Sequence, residues 1–379
     1  MPKGRLLLPA ATEQHILRGP GFPRPDPADS TGKTFKRRKE NNTVITQHQK
    51  DGERFLAIET PRWKSEILLS VGSAMLELID RKTGWNLLRE PPSMEALKKQ
   101  PEIYGFPVLI PPNCIYKGKF TWRGRNYTLP INNRFGNHIH GVVLRAAWEF
   151  LDADEKEDKT VVRTHYLYDE RNPMFAGYPH KMDVILTYTF LPDRVLQKLS
   201  VRNLGETVMP FAAGFHSSFR FPLGPRTPEA YRTSSVRVTV DDFYWEFDKT
   251  VRYTPTGRKL PWNGYDTFRK GKIINRQAVS RQSPLKEDLL DGKPFLGAVL
   301  TFPEAGVRIV YEFDRKYRQT ALWNWDGDED FFCAEPMSWI ADSPNLPLPE
   351  SETGLYPLEP GELWEAENTL RVEELEKGE

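Results

Sequence analysis

From about residue 54 onward, strand-length segments separated by turn residues recur for almost three hundred residues. Several of them alternate apolar and polar residues, as in 307–313, which is the pattern of a strand with one buried face. Helical patterns are few, so the βα units of a parallel sheet are not expected. The sequence therefore predicts an all-β fold, a large antiparallel β-sandwich with few short helices. The clearest predicted strands are 141–150, 159–168, 182–190, 195–203, 235–240, 298–302, 306–313, 319–325 and 363–372.

One short helix is predicted over residues 93–100. Ser93 is a residue type that caps the first turn of a helix, because its hydroxyl accepts a hydrogen bond from a free backbone N–H. Pro101 cannot continue a helix. We expect the helix to begin after Ser93 and to end before Pro101.

The first fifty residues differ from the rest of the chain. They are rich in Pro, Gly, Lys and Arg, show no sustained hydrophobic period, and include four prolines between positions 20 and 27. Such a composition predicts an extended or partly disordered arm over 1–50. Large all-β sandwiches often exceed 200 residues as one unit, so 51–379 is predicted to be a single domain.

Charge and cysteine content exclude several classes of protein. The chain has 53 basic and 52 acidic residues and a net charge of +1, so it carries no general electrostatic attraction for nucleic acid or for an anionic membrane. Its two cysteines, Cys114 and Cys333, are too few for a disulfide framework and lack metal-ligand spacing. No apolar run approaches a membrane span, and the N-terminus has only three consecutive leucines. We expect a cytoplasmic protein with no nucleic-acid or membrane partner.

Two histidines occur close together in the segment 137–141. In a strand, His138 and His140 would point to the same face, and that spacing is compatible with a metal, although no third ligand is evident nearby. The alternative for either residue is a hydrogen-bonded histidine in the core. Gly141 permits close approach of the backbone to a ligand, which favours His140 as the functional residue.

A third histidine, His216, lies among small and aromatic residues in 211–221. Histidine can give and take protons near neutral pH, so His216 is a candidate acid or base. A core histidine bonded to the backbone is an equally open interpretation. The adjacent Ser217 and Ser218 do not indicate a serine nucleophile, because no strand–turn–helix elbow with Gly on both sides of a Ser is present.

Glu335 follows an apolar, strand-like segment and precedes a proline. Burial among Phe332, Met337 and Trp339 would raise the pKa of its carboxyl group and suit it to act as a base. A glutamate in an edge turn is the alternative from this segment alone.

Taken together and in order, segments between residues 65 and 372 resemble the aldose 1-epimerase (galactose mutarotase-like) family. The resemblance covers His138-Ile139-His140-Gly141, Gly214-Phe215-His216 and Cys333-Ala334-Glu335-Pro336-Met337. The other similar segments are 105–113, 127–132 with Trp148, 201–205 with 209–211, 264–268, Asn345 and 358–362.

This resemblance implies a large antiparallel β-sandwich and an enzyme that interconverts the α and β anomers of a free sugar, without a cofactor or a metal. Glu335 would take the proton of the anomeric hydroxyl, His216 would protonate the ring oxygen, and His140 would hold or polarise that oxygen. We expect His216 and Glu335 to face one another across a cleft. The residues implied to bind the sugar are Asp266, Asn113 and His138.

The chain departs from the family pattern at one position. Family members commonly carry an arginine directly after the asparagine that corresponds to Asn113, where it binds the sugar, and this chain has Cys114 instead. Arg123, Arg125 or Arg134 in the following segment could supply the missing cation.

Two other functions therefore stay open. One is a lyase or hydrolase acting on glycosides or keto-sugars, for which Glu335 would need a second carboxylate such as Asp266 or Asp330. The other is a sugar-binding protein without catalysis, against which the retained acid–base residues argue.

Overall fold

Short strands make up most of the part of the chain that the computed structural model describes, which is residues 43–248, 250, 254–263 and 267–376. In chain order the strands are β1 (Val44–Lys50), β2 (Glu53–Glu59), β3 (Trp63–Leu68), β4 (Ala74–Asp80), β5 (Trp85–Asn86), β6 (Val108–Leu109), β7 (Cys114–Ile115), β8 (Lys119–Trp122), β9 (Arg125–Thr128), β10 (His138–Ile139), β11 (Glu149–Glu155), β12 (Thr160–Tyr168), β13 (Met182–Phe190), β14 (Arg194–Asn203) and β15 (Met209–Phe211). They continue with β16 (Gly214–Phe215), β17 (Ser218–Arg220), β18 (Ser235–Val238), β19 (Phe243–Phe247), β20 (Pro255–Pro261), β21 (Lys272–Ile273), β22 (Ser280–Pro284), β23 (Asp288–Leu290), β24 (Lys293–Phe295), β25 (Gly297–Phe302), β26 (Val307–Glu312), β27 (Gln319–Trp323), β28 (Phe331–Met337), β29 (Tyr356–Leu358) and β30 (Leu363–Glu374). The α-helices in these residues are α1 (Met94–Lys99), α2 (Pro228–Thr233) and α3 (Glu350–Thr353).

Three sheets carry the fold. The first has five strands in the order β1-β2-β3-β4-β5, and the second has nine in the order β11-β12-β13-β14-β30-β26-β25-β18-β21. The third has the order β22-β27-β28-β16-β6, with β17 also paired to β28. The paired strands are antiparallel, as in the long ladders between β13, β14 and β30. The predicted antiparallel all-β fold is confirmed.

The main hydrophobic core includes buried residues of all three sheets, and part of it lies at the interface between the nine-stranded and six-stranded sheets. In β14, every second residue is buried, which is the burial pattern expected for a strand with one face on a core. Tyr311 of β26 contacts Phe219 of β17 across the interface, with ring centroids 5.5 Å apart. Each large apolar side chain buried in this layer contributes roughly 1.5–3 kcal/mol to folding relative to an exposed one.

The predicted helix is confirmed as α1. The Ser93 hydroxyl accepts a hydrogen bond of 3.1 Å from the backbone N–H of Ala96, and the chain leaves the α-helix before Pro101. The predicted strand 182–190 coincides with β13.

The predicted strand over 141–150 is wrong for most of its length. Gly141 forms only an isolated bridge, residues 142–145 form turns, and β11 begins at Glu149. The chain reverses here because His140 and Gly141 both have left-handed backbone angles, with φ of 65° and 72°. The apolar residues that suggested a strand are nevertheless buried, since Val142 and Val143 pack into the core from the turn. Burial without a sheet partner gives the same sequence pattern as a short buried strand.

The segment before residue 51 is partly described. Residues 44–50, which lie at the end of the predicted arm, form β1 and pair with β2 from Val44–Glu59 to Lys50–Glu53. Residues 1–42 lie outside the described part, and all the described residues belong to one compact unit. Among the described residues, no helix combines the length and apolar character needed to cross a membrane.

Candidate active site

A buried histidine and a buried glutamate meet on neighbouring strands of the six-stranded sheet. Gly214 pairs with Met337, and Ser218 pairs with Cys333, and this common register sets His216 opposite Glu335. The Nε2 atom of His216 lies 3.5 Å from Oε1 of Glu335. The two residues are therefore side-by-side neighbours on one surface, whereas the sequence suggested that they face each other across a cleft.

His140 completes this cluster from a separate loop. Its backbone N–H donates a hydrogen bond of 2.9 Å to the carbonyl of Asn113, and its ring centroid lies 5.2 Å from that of His216, at 80° to it. The left-handed turn at His140 and Gly141 holds the loop against the neighbouring chain. A Cβ at Gly141 would lie 2.0 Å from the carbonyl oxygen of Ile110, so glycine is required for this close approach.

These three residues lie at the floor of a cavity of about 480 Å³. His140 and His216 are each 5% exposed and Glu335 is 2% exposed. Aromatic side chains form part of the cavity wall, including Trp323, whose ring lies edge-on to His216 with centroids 5.5 Å apart. The remaining lining residues are Lys99, Gln100, Glu102, Ile103, Asn113, Asn132, Asn133, Arg134, Phe135, Ile139, Leu144, Arg145, Phe247, Ser280, Arg281, Gln282, Ala321, Leu322 and Trp325. The polar floor and flat aromatic wall match the two needs of a sugar site, hydrogen bonding and ring stacking.

Burial favours the uncharged forms of all three floor residues. It raises the pKa of Glu335 well above the ordinary glutamate value and lowers the pKa of His216 to about 3. Burial also lowers the pKa of His140 well below its usual value, and the nearby His216 adds to this effect. Burial therefore favours the carboxylic acid form of Glu335 and opposes a second proton on the Glu335–His216 pair.

The two floor histidines have unused hydrogen-bonding capacity. The Nδ1 atoms of His140 and His216 are buried and have no hydrogen-bond partner on another described residue. A buried polar atom without a partner costs free energy unless a ligand or water satisfies it. The rings of His140 and His216 are therefore not fixed through Nδ1 by a neighbouring side chain of the described part of the chain.

Of the three residues implied to bind a sugar, only Asn113 is observed in the cavity lining of the described structure. Asn113 lines the cavity with a left-handed backbone, and its side-chain oxygen accepts a hydrogen bond of 2.8 Å from the N–H of Cys114. His138 is buried outside the cavity lining, where its Nδ1 bonds to the carbonyl of Pro130 at 2.8 Å. Asp266 lies outside the described residues.

Cys114, which occupies the position of the family's arginine, does not belong to the cavity lining. Cys114 is fully buried, its Sγ lies 4.0 Å from the hydroxyl oxygen of Thr254, and burial raises the pKa of its thiol to about 12. Arg123 and Arg125 also lie outside the lining, with their guanidinium groups over the rings of Trp122 and Tyr127. Of the three candidate substitutes, Arg134 lines the cavity.

Sequence reasoning missed several lining residues. Trp323 and Trp325 were available from the pattern, because Ala321, Trp323 and Trp325 alternate along the predicted strand 319–325. Gln282 gave no such signal. Its side-chain oxygen accepts a hydrogen bond of 2.9 Å from the N–H of Ala341, a contact between distant segments.

One group of side chains among the described residues has the donor types of a metal site. Donor atoms of His216, Cys333 and Glu335 lie within 4.8 Å of one another. The Sγ of Cys333, however, lies 3.1 Å from the hydroxyl of Ser218, and burial raises the pKa of the thiol well above its usual value. A metal ligand must be the thiolate, so this environment disfavours a metal.

The sequence and the fold have known counterparts. A family model described as aldose 1-epimerase matches residues 56–371. The uncharacterized protein YphB of Escherichia coli K12 is 26% identical over 270 residues, which cover 71% of this chain and 83% of that protein. The uncharacterized protein YihR of the same bacterium is 30% identical over 112 residues, covering 29% of this chain and 34% of that protein.

Solved structures of other proteins have a similar fold. A galactose mutarotase-like protein from Clostridium acetobutylicum is 28% identical with a TM-score of 0.83, covering 88% of this chain and 99% of that one. A galactose 1-epimerase from Lactobacillus acidophilus shares the fold, with 16% identity, a TM-score of 0.68, and coverage of 89% and 100%. Because the family model spans most of the sequence, from residue 56 to residue 371, the chain belongs to the aldose 1-epimerase family.

Proposed function

We propose that this protein interconverts the α and β anomers of an aldose by acid–base ring opening. The observation that carries the proposal is the 3.5 Å separation between Nε2 of His216 and Oε1 of Glu335 at the floor of the cavity. Ring opening needs one group to take a proton from the anomeric hydroxyl and another to give a proton to the ring oxygen. Both oxygens are bonded to the same carbon, so a pair of adjacent protein groups suits them.

The reaction needs only proton transfers and one bond cleavage. Glu335 accepts the proton of the anomeric hydroxyl while a carbonyl forms at C1, the bond between C1 and the ring oxygen breaks, and His216 protonates that oxygen. Rotation about the bond between C1 and C2 exposes the other face of the aldehyde. Ring closure by the reverse transfers gives the other anomer and restores the pair.

The proton shared by His216 and Glu335 can lie on either residue, which suits a reversible proton transfer. Burial favours the form in which Glu335 carries the proton, and the reaction begins from the form in which His216 carries it. The attraction between carboxylate and imidazolium at 3.5 Å, and hydrogen bonds from the sugar hydroxyls, stabilise that charged form. The two forms contain the same number of protons, so no exchange with solvent is needed in each cycle.

We assign His140 a supporting part in this chemistry. Its ring lies 5.2 Å from that of His216, centroid to centroid, and it shares the cavity floor. A hydrogen bond from His140 to the ring oxygen would orient the sugar and stabilise negative charge on that oxygen as the bond to C1 breaks.

Hydrolysis with Asp330 as the second carboxylate receives no support. Asp330 does not belong to the cavity lining, and its carboxylate lies 2.9 Å from Nε of Arg226 and also accepts a hydrogen bond from Tyr231. Glycosidases need their two carboxyl groups on either side of the same bond.

Exchange NMR tests the proposal. Equilibrated anomers of a panel of neutral and phosphorylated aldoses are mixed with wild-type protein, and exchange cross-peaks between the two H1 signals are measured against a protein-free control. We expect accelerated exchange for at least one sugar, and exchange at the protein-free rate when Glu335→Gln replaces the wild type. Protein-free rates across the whole panel, or equal acceleration by both proteins, would contradict the proposal.

A further inference from the structure

The residues lining the cavity differ in charge between its floor and its exposed part. Glu335 and His216 are buried, whereas Lys99, Arg134 and Arg281 also line the cavity but are exposed. We call these three the mouth cations. They come from separate parts of the chain, since Lys99 ends α1, Arg134 lies in the loop before β10, and Arg281 belongs to β22. A ligand with its reacting end on the floor would place its other end among them.

The mouth cations are not engaged by carboxylates. None of them forms an ion pair with a carboxylate of residues 43–248, 250, 254–263 or 267–376. Elsewhere on the described surface, cations commonly have such partners, as when Arg269 lies 2.9 Å from Asp242 and Arg371 lies 3.3 Å from Glu312. The whole chain is nearly balanced at 53 basic and 52 acidic residues, so this positive group is a local feature.

The other charged residues near the mouth have partners other than the mouth cations, or are shifted towards the uncharged form. Arg145 lies 3.9 Å from Glu102, and it donates a hydrogen bond of 2.7 Å to the carbonyl of Lys98 at the end of α1. Burial raises the pKa of Glu102, which favours its uncharged form. Arg134 and Arg281 also border a neighbouring cavity that contains Glu246, Asp248 and Asp326. Of these, Glu246 lies 3.6 Å from Arg258, and Asp248 accepts a hydrogen bond of 2.6 Å from the hydroxyl of Thr250.

Two of the mouth cations are oriented by aromatic rings. The guanidinium of Arg134 lies over Phe135 and that of Arg281 lies over Tyr244, each 4.9 Å from the ring centroid. Arg281 also donates a hydrogen bond of 2.9 Å to the carbonyl of Ser280. Stacking limits the motion of the planar group and leaves N–H donors free, and such donors match the oxygens of a phosphate or carboxylate.

Resting on the proposed function, we propose that the substrate is an aldose with an anionic group, a phosphate ester or a carboxylate, remote from its anomeric carbon. The sugar ring lies on the floor against Glu335 and His216, and the anion lies among the mouth cations. Binding there removes little hydration from either partner, because the cations are exposed, so the attraction is not cancelled by desolvation. The positive mouth would also increase the rate of encounter with an anionic sugar.

Substrate comparison tests this inference. Exchange NMR gives kcat/KM for glucose 6-phosphate, glucuronate, glucose and 6-O-methylglucose, the last being a neutral control for size. We expect at least one of the two anionic sugars to exceed both neutral sugars by roughly tenfold or more, the effect of one charged hydrogen bond. Comparing kcat/KM for glucose 6-phosphate and for glucuronate shows whether a phosphate or a carboxylate fits the mouth better. The preference should shrink as salt is added.

Substitutions of the mouth cations test whether these residues cause the preference for anionic sugars. Arg134→Gln and Arg281→Gln are each expected to lower kcat/KM for the preferred anionic sugar about tenfold more than they lower it for the neutral sugars. Arg123→Gln is the matched control, because Arg123 is exposed, lies over Trp122 and is outside the cavity lining. Equal turnover of neutral and anionic sugars, or loss of the preference in none of the mouth variants, overturns this inference and leaves the proposed function standing. Protein-free exchange for every sugar overturns the proposed function itself.

Discussion

Two buried polar clusters lie back to back in this protein, and their hydrogen bonding differs. The core network joins the sheets: the hydroxyl of Tyr311 donates to Gln197 at 2.7 Å and accepts from Ser217 at 3.1 Å and from Asn368 at 3.2 Å. The cavity floor consists of His140, His216 and Glu335, where the Nδ1 atoms of both histidines lack partners on other described residues.

The two clusters occupy opposite faces of one segment of the chain. Ser217 belongs to the core network and its neighbour His216 to the cavity floor, so one strand segment supplies both clusters from its two faces. A buried polar group that lacks a partner costs about 1–3 kcal/mol, and the core network avoids that cost within the protein. The cavity floor leaves its groups available, which fits a role in holding a sugar and moving protons.

The largest effect is expected at the cavity floor. Glu335→Gln should lower the rate of anomer exchange by about 10²–10⁴-fold, because the amide cannot accept a proton in the transition state. Its thermal stability should stay close to that of the wild type, since burial already favours the uncharged carboxyl group. Exchange NMR and thermal unfolding of the same samples measure both. A rate within a few-fold of wild type would remove Glu335 from the proton transfer.

His140 should show a smaller effect of the same kind. His140→Asn is expected to lower the exchange rate by about tenfold, the value of one neutral hydrogen bond in the transition state. His138→Asn is the paired variant, because His138 is buried next to this loop but lies outside the cavity lining. We expect it to change stability more than rate, through the lost contact with Pro130. Equal rate losses in both variants would contradict the assignment of His140 to the floor.

The core network should respond in stability alone. Tyr311→Phe removes the hydroxyl that joins Gln197, Ser217 and Asn368, and should lower the free energy of unfolding by about 1–3 kcal/mol. Urea titration measures this change, and exchange NMR on the folded fraction should give the wild-type rate. If the rate instead falls as far as it does in Glu335→Gln, the two clusters are not functionally separate.

The rate should not fall as the pH is lowered from about 7 to about 5. Burial lowers the pKa of His216 to about 3, so the pair gains a second proton only near that pH, far below the ordinary histidine value. The rate per folded molecule should therefore show no acid-side loss near the ordinary histidine pKa of about 6.5. A fall in the exchange rate with a midpoint near 6.5 would show that His216 titrates as a solvated histidine.

Local sequence patterns were sufficient for long strands such as β13 and β26 and for α1. Alternating residues mark β26, and Ser93 with Pro101 marks the ends of the helix, because these signals depend on neighbours in the chain. The turn over 142–145 was missed because burial of its apolar residues depends on the left-handed backbone at His140 and on distant packing.

The same limit applies to the site. Motif context selected Glu335, His216 and His140, but not their arrangement. Their side-by-side geometry follows from the register of β16 and β17 on β28, which pairs residues more than a hundred positions apart. The positive mouth likewise assembles Lys99, Arg134 and Arg281 from distant segments, so no local pattern reveals it.

The central claim is that His216 and Glu335 act as one proton-transfer pair. It is tested most directly by the exchange rates of His216→Asn, Glu335→Gln and the double variant, measured by exchange NMR on the preferred sugar. Residues that act as a unit are strongly non-additive, so the double variant should lose about as much rate as either single variant. If the losses of the two single variants multiply in the double variant, the residues act independently, and the paired mechanism is contradicted.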